Sequence, residues 1–128
     1  MTCILSVDVE DWFHLLDLPA APRMPEWDSL PSRVELNFRK MLDLFERNGV
    51  RCTCFFLGWV AEKYPHLARE ASALGHEVAS HGHSHTLVYH MSPSEFLRDI
   101  RRAKETLENV TGRPVTGYRA PGFSVTEK

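Results

Sequence analysis

Glu77-Val78-Ala79-Ser80-His81-Gly82-His83-Ser84-His85 is a short apolar run that ends in a histidine cluster, and its reading decides the fold. Residues 77–80 have the length and composition of a buried strand, and the chemistry begins where the strand stops. Five of the seven histidines lie between His76 and His90. Imidazole is the commonest metal ligand, and packing alone is a poor reason for such density. His81 and His85 are four apart, the spacing that places two imidazoles on one face of a helical turn. On that turn His83 points elsewhere. His76, His83 and His90 are expected at the surface or in support of the pair.

Working outward, the same pattern recurs. Residues 3–9 form an apolar, β-branched run that stops at Asp8-Val9-Glu10-Asp11-Trp12-Phe13-His14. Three carboxylates within four residues repel one another and become tolerable around a cation or a shared proton. Residues 50–57 read as a second buried strand and 115–118 as a fourth, followed by Arg119-Ala120-Pro121-Gly122. Between the strands lie helical stretches. Val34, Phe38, Met41, Leu42 and Phe45 repeat at helical spacing, with Ser32 as the cap and Asn48-Gly49 as the stop. Residues 59–74 are helical with a break at Tyr64-Pro65. Ser92-Pro93-Ser94-Glu95 is a capping box that starts a helix reaching about Val110, with Phe96, Ile100, Ala103 and Leu107 inward. Residues 14–31 carry four of the eight prolines and no helical period, the mark of a long loop that shapes a site; Trp27 within it is a candidate sugar-stacking platform.

Alternating strands and helices predict an α/β fold of βαβ units with a parallel sheet. The acidic cluster, the histidines and Arg119 each follow a strand, so all three fall on one edge, where open α/β sheets and barrels bind ligands.

With 128 residues, 43% of them hydrophobic, the chain is one domain's worth of sequence. A net charge of −2 and a pI near 6.4 give no basic field for nucleic acid or anionic membrane. No apolar run reaches membrane-spanning length. The first residues lack the basic and apolar regions of a signal peptide, so a cytoplasmic location is expected. Cys3, Cys52 and Cys54 sit in apolar surroundings and read as buried strand thiols in a reducing compartment; a Cys-x-Cys metal pair needs further partners.

Two histidines and a carboxylate on adjacent strand ends make an open metal site that leaves a position for water. Zinc suits imidazole and carboxylate, and Co2+, Ni2+ or Mn2+ fit the same donors. A second carboxylate can act as general base, and Asp8, Glu10 and Asp11 are available for both tasks. Arg119 suits the task of fixing that base by a charge-assisted hydrogen bond.

Together these motifs resemble the polysaccharide deacetylases with a NodB-homology domain, carbohydrate esterase family 4. The family's first motif is similar to Ser6-Val7-Asp8-Val9-Glu10-Asp11-Trp12, its His-x-x-x-His to His81 to His85, and its arginine motif to Arg119-Ala120-Pro121-Gly122. Stretches such as Val7 to His14, Gly75 to His81 and Gly117 to Pro121 resemble the branch found at bacterial exopolysaccharide and exosortase loci. The resemblance implies metal-dependent hydrolysis of N-acetyl groups on aminosugars of a polysaccharide, releasing acetate. It assigns Asp8 as general base, His81 and His85 as metal ligands, and Arg119 as the tether of the base. Val9 stands where the family's metal carboxylate usually follows the base, so the resemblance points to Glu10, two residues on, as the metal carboxylate, with Asp11 as the alternative. Trp12, His14, Pro121 and Gly122 are the residues that would line the substrate.

The family's later motifs, including the histidine that protonates the leaving amine, find no match in these 128 residues. Residues 1–128 are therefore expected to be the N-terminal part, about four βα units, of a distorted (β/α) barrel. Such a part exposes strand edges that self-association or a further segment would cover. Two other readings remain: an amide hydrolase for a small non-sugar substrate, and a catalytically incomplete metal- or glycan-binding fragment.

Overall fold

A computed structural model describes residues 3–16 and 18–126. Three parallel strands form its sheet in the order β1 (Ser6–Val9), β2 (Thr53–Phe56), β3 (Glu77–Ser80). Helix α1 (Val34–Arg47) connects β1 to β2, α2 (Gly58–Lys63) and α3 (Pro65–Ala73) connect β2 to β3, and α4 (Pro93–Thr111) follows. Short 3-10 turns occupy Met24–Ser29, Val88–His90 and Pro121–Phe123. The α/β class read from alternating patterns is the observed one. Register is uniform: Val9 lies beside Phe56, and Phe56 beside Ser80, so the three strands end level with one another.

The expected fourth strand is not formed. Residues 115–118 contribute a single parallel bridge, Ser80 to Tyr118, closed by Ser80 N–H to Gly117 O at 2.9 Å and Arg119 N–H to Ser80 O at 2.9 Å. Three strands and one bridge thus stand where about four strands were expected. The first strand is also shorter than its apolar run: Cys3 is exposed and Ile4 is 89% exposed. The register pairs β1 with β2 only from Ser6, and an apolar run without a partner has no ladder to join.

The core lies between the sheet and its helices. Phe38 and Leu42 of α1 are buried, and the Phe38 ring meets Phe56 edge-on at 5.3 Å. Leu67, Ala68 and Ala71 of α3 and Ala103 and Leu107 of α4 are fully buried. Gly58 opens α2 for a steric reason: a Cβ there would lie 2.8 Å from His83 Nδ1 and 3.0 Å from Ala103 Cα. The capping box of α4 is present, with Ser92 Oγ accepting from Glu95 N–H at 3.4 Å and Glu95 Oε2 accepting from Ser92 N–H at 2.8 Å. At α1 the expected cap is corrected. Arg33 occupies the cap position, and the Asp11 side chain, 22 residues upstream, supplies the acceptors.

Candidate metal centre

Level strand ends bring the three chemical segments together. Asp8 belongs to β1, and Glu10 follows it by two residues on the same face. Arg119 Nη1 donates to Asp8 Oδ1 at 2.7 Å and Nη2 donates to Ser6 Oγ at 2.7 Å. The guanidinium also stacks 4.0 Å above the Phe55 ring. Its main chain is tied to β3 through the Ser80 carbonyl. Arg119 therefore fixes the position of the Asp8 carboxylate between two strands.

His81 is the first residue after β3, and its N–H donates to Phe56 O at 2.8 Å. Its Nδ1 lies 2.8 Å from the Arg119 carbonyl oxygen. A carbonyl can only accept, so the proton sits on Nδ1 and the Nε2 lone pair is free. That Nε2 faces the carboxylates, 3.9 Å from Asp8 Oδ2 and 3.9 Å from Glu10 Oε2. Burial pushes the His81 imidazole below its ordinary value, with Asp8 and the Arg119 carbonyl opposing, so the neutral ligand form is favoured. His85 brings its Nε2 to 2.6 Å from Glu10 Oε2. One donor atom from each of Glu10, His81 and His85 lies within 4.8 Å of the other two.

This triad fits a divalent metal. Glu10 Oε2 is buried and receives no hydrogen bond, even though His85 Nε2 is 2.6 Å away. Three electron-pair donors therefore converge with no proton shared in good geometry, an arrangement a cation stabilises and packing does not. Two imidazoles and one carboxylate are the donor set of an open zinc site.

The histidines do not sit on a helical turn. Residues 81–87 are irregular and bend at His83-Ser84, with Gly82 at φ 75° and His85 at φ 52°. A non-glycine residue at positive φ is uncommon and marks a conformation held by its surroundings. Asp99 of α4 provides that hold. Its Oδ2 accepts from His83 N–H at 2.7 Å, and its Oδ1 accepts from Ser84 N–H at 3.0 Å and Ser84 Oγ–H at 2.6 Å. Sequence reading missed Asp99, because an acid in a charged amphipathic helix carries no signal of its own. Its nearness to Gly82, where a Cβ would lie 2.9 Å from Oδ2, also requires glycine at that position.

Asp11 is not in the triad. Its carboxylate accepts from Trp12 N–H, Ser32 Oγ–H, Arg33 N–H and Val34 N–H, which occupies both oxygens at the start of α1. Of the two candidates for the metal carboxylate, only Glu10 points at the histidines. His14 is corrected as well. It is 3% exposed, accepts from Asp11 N–H through Nδ1 at 2.8 Å, and packs against Phe13, Trp27 and Trp59. A side chain enclosed in this way supports the Asp11 turn and does not reach a substrate. Trp27, at 5% exposure, belongs to the same aromatic cluster and offers no stacking face. Trp12 is 48% exposed, with Nε1 donating to Pro31 O at 2.9 Å. Pro121 is fully buried, and Gly122 turns the chain at φ 58° against Leu87 and Leu16. Neither supplies a side chain to a ligand; they shape the turn after Arg119. His90 is exposed as expected, whereas His76 and His83 are buried at 4% each. His83 Nδ1 faces Glu62 at 3.8 Å, turned away from the pair.

A parallel α/β sheet with a carboxylate–histidine–histidine triad and an arginine-held aspartate at its strand ends places the molecule in the class of α/β domains with a candidate metal position at their strand ends. Within that class the chain belongs to the polysaccharide deacetylase family, whose model matches residues 26–128. The match begins after β1, so Asp8 and Glu10 lie outside it and meet His81 and His85, which lie within it, through the fold. A peptidoglycan-N-acetylglucosamine deacetylase of Bacillus cereus is 28% identical over 88 residues, 69% of this chain and 32% of the relative. The chain thus spans about a third of that relative's length. The structure of the peptidoglycan deacetylase PdaC of Bacillus subtilis superposes with a TM-score of 0.70 at 26% identity, covering 72% of this chain and 46% of PdaC. A family 4 carbohydrate esterase described as a pseudoenzyme, from Bacillus anthracis, gives a TM-score of 0.75 at 16% identity over 97% of this chain and 36% of its own. The last likeness shows the fold alone.

Proposed function

We propose that this chain carries the metal-binding and base-bearing part of an enzyme that removes N-acetyl groups from the aminosugars of a bacterial polysaccharide, releasing acetate. One observation carries the reading: Glu10, His81 and His85 converge within 4.8 Å beside an aspartate held by Arg119. Glu10, His81 and His85 would hold a divalent ion, with zinc the best match to the donors. Such an ion supplies Lewis-acid chemistry, polarising an amide carbonyl and making water acidic near neutral pH.

The rest falls to the chain's own groups. Asp8 is the proton acceptor, its carboxylate aimed by the two-point hold of Arg119 on Asp8 and Ser6. The His81 Nδ1–H bond to the Arg119 carbonyl couples the imidazole's orientation to the same arginine, so base and ligand move as one unit. Trp12, exposed close to Glu10 in the chain, offers an indole face to a sugar ring. Residues 1–128 are read as the N-terminal portion of a longer deacetylase domain, in keeping with the share of the relatives that they span. Within the family, the sequence from Val7 to His14 and from Gly117 to Pro121 favours an exopolysaccharide over peptidoglycan as substrate.

The test is acetate release by the intact protein from N-acetylated exopolysaccharide and from peptidoglycan fragments, with and without a chelator. Turnover is expected on the first, lost with the chelator and restored by Zn2+. Asp8→Asn should lower it by about 10²- to 10⁴-fold with metal content unchanged. No acetate from any N-acetylated glycan with metal restored would leave a binding role, as for a pseudoenzyme. Release from peptidoglycan alone would reassign the substrate.

A further inference from the structure

The opposite end of the sheet gathers a second set of metal-binding side chains. Cys52 precedes β2 by one residue, Cys54 is its second residue, and His76 precedes β3 by one. Residues two apart on a strand project to one face, so both thiols point the same way. The pairing of Thr53 with Glu77 then sets His76 alongside Cys52. The two Sγ atoms are 3.5 Å apart, and His76 Nδ1 is 3.5 Å from Cys52 Sγ. One donor atom from each of the three lies within 4.8 Å of the others.

Those separations are near the edges of a metal tetrahedron. With Zn–S of about 2.3 Å and Zn–N of about 2.0–2.1 Å, tetrahedral edges are about 3.8 Å for S to S and about 3.6 Å for S to N. All three residues are buried, at 6%, 0% and 4% exposure. His76 Nε2 has no hydrogen-bond partner, so no bond on that side holds the ring against turning toward the sulfurs. A cavity of about 260 Å³, lined in part by Ser72, His76, Glu77 and Arg113, opens beside the ring and gives a path for an ion or a fourth ligand.

We propose that Cys52, Cys54 and His76 form a second, sulfur-rich metal site that takes Zn2+ or Cu+. Two sulfurs and an imidazole are a soft donor set that excludes Mg2+ and Ca2+. Binding releases two thiol protons to solvent and leaves two metal–thiolate bonds. Without metal the apolar surroundings hold both thiols protonated, because burial pushes them up. On binding, the Cys52 N–H that now donates to His76 Nδ1 at 3.2 Å must turn to a thiolate sulfur, which is a good acceptor once ionised. The ion would clamp β2 to β3 where the strands begin. It is independent of the deacetylase reading.

The intact protein, carrying Cys3→Ser to remove the exposed thiol, is stripped of metal and titrated with Co2+, then separately with Cu+ against a chromogenic competitor. The expected result with Co2+ is two equivalents and a near-ultraviolet thiolate-to-cobalt band for one of them. That band should survive His81→Ala and vanish in Cys54→Ser. Tight Cu+ binding without the cobalt band assigns the site to copper. One equivalent with no sulfur band and no Cu+ binding would overturn the proposal, as would a band seen only when Cys3 is present. Because the decisive spectrum is taken with the site's own residues intact, poor folding of Cys54→Ser leaves the result readable. Loss of the equivalent that has no sulfur signature, with the band retained, would count against the deacetylase site instead.

Discussion

Where the strands finish, two histidines share a half-exposed carboxylate, and an aspartate is held nearby by an arginine; where they begin, one histidine meets two buried thiols. Both ends bring imidazole together with carboxylate or thiol donors across adjacent parallel strands. The difference lies in access and in hardness of the donors. Glu10 and Asp8 side chains are 31% and 35% exposed, so a substrate and water can reach them. Cys54 is fully buried, so anything bound there is structural. The loops after the strands are outside the ladder and can place donors around an open position, whereas the residues before the strands are fixed by the ladder itself. One sheet therefore supports a reactive end and a static end.

That contrast can be broken most directly at His81. His81→Ala removes one of three donors from the reactive end and should weaken metal binding there by more than about 100-fold, read by competition with a chelator, leaving the thiol end unchanged. If both ends empty together, they are not separate sites. Asp99→Ala releases the bend that carries His83 and Ser84 without touching the metal. A loss of about 10- to 100-fold in metal affinity is expected, with Asp99→Asn recovering part of it. An unchanged affinity would mean that the bend holds its shape without α4.

Asp11→Ala sharpens the comparison by separating a helix cap from a ligand. It should cost about 0.5–2 kcal/mol of stability in a denaturant titration and leave metal stoichiometry intact. A lost equivalent would return Asp11 to the metal. A further effect is on acid stability. Burial, then the neighbouring His85, lowers the His14 imidazole to about 3, with Asp11 opposing. Between that value and about 6.5 the unfolded chain binds more protons than the folded one. Stability from this group is thus full above about pH 6.5 and declines toward pH 3, by at most about 1.4 kcal/mol per pH unit. In the metal-free protein, His14→Phe should flatten that acid limb; an unchanged slope would place the titration elsewhere.

Much of this was legible in the chain. The capping box at Ser92, the break at Pro65 and the strand at Glu77–Ser80 are local signals, and each element appears where its residues say. The coincidence of three polar clusters after strands also pointed to one edge. What was not legible depends on distant partners. Ser32 has the chemistry of a cap, yet Asp11 takes the helix terminus because the turn after β1 delivers its carboxylate there. His14 and Trp27 look like site residues in a proline-rich loop until Phe13 and Trp59 close around them. The histidine spacing suggested a helix, and the bend achieves the same convergence through positive φ at Gly82 and His85. His76 read as a surface residue or a support for the histidine pair, since nothing near it in sequence announces Cys52.

The sequence by itself determined the alternation of strands and helices, the donors available and the strand ends that carry them, because periodicity, caps and turns act over a few residues. Only the tertiary structure decided which donors meet. Glu10 was chosen over Asp11, Asp99 was recruited to the histidine bend, and Cys52, Cys54 and His76 were brought together by strand register and helix packing. Apart from the Cys52–Cys54 pair, those contacts join residues 15 to 75 positions apart, a range over which local sequence carries no information about distance.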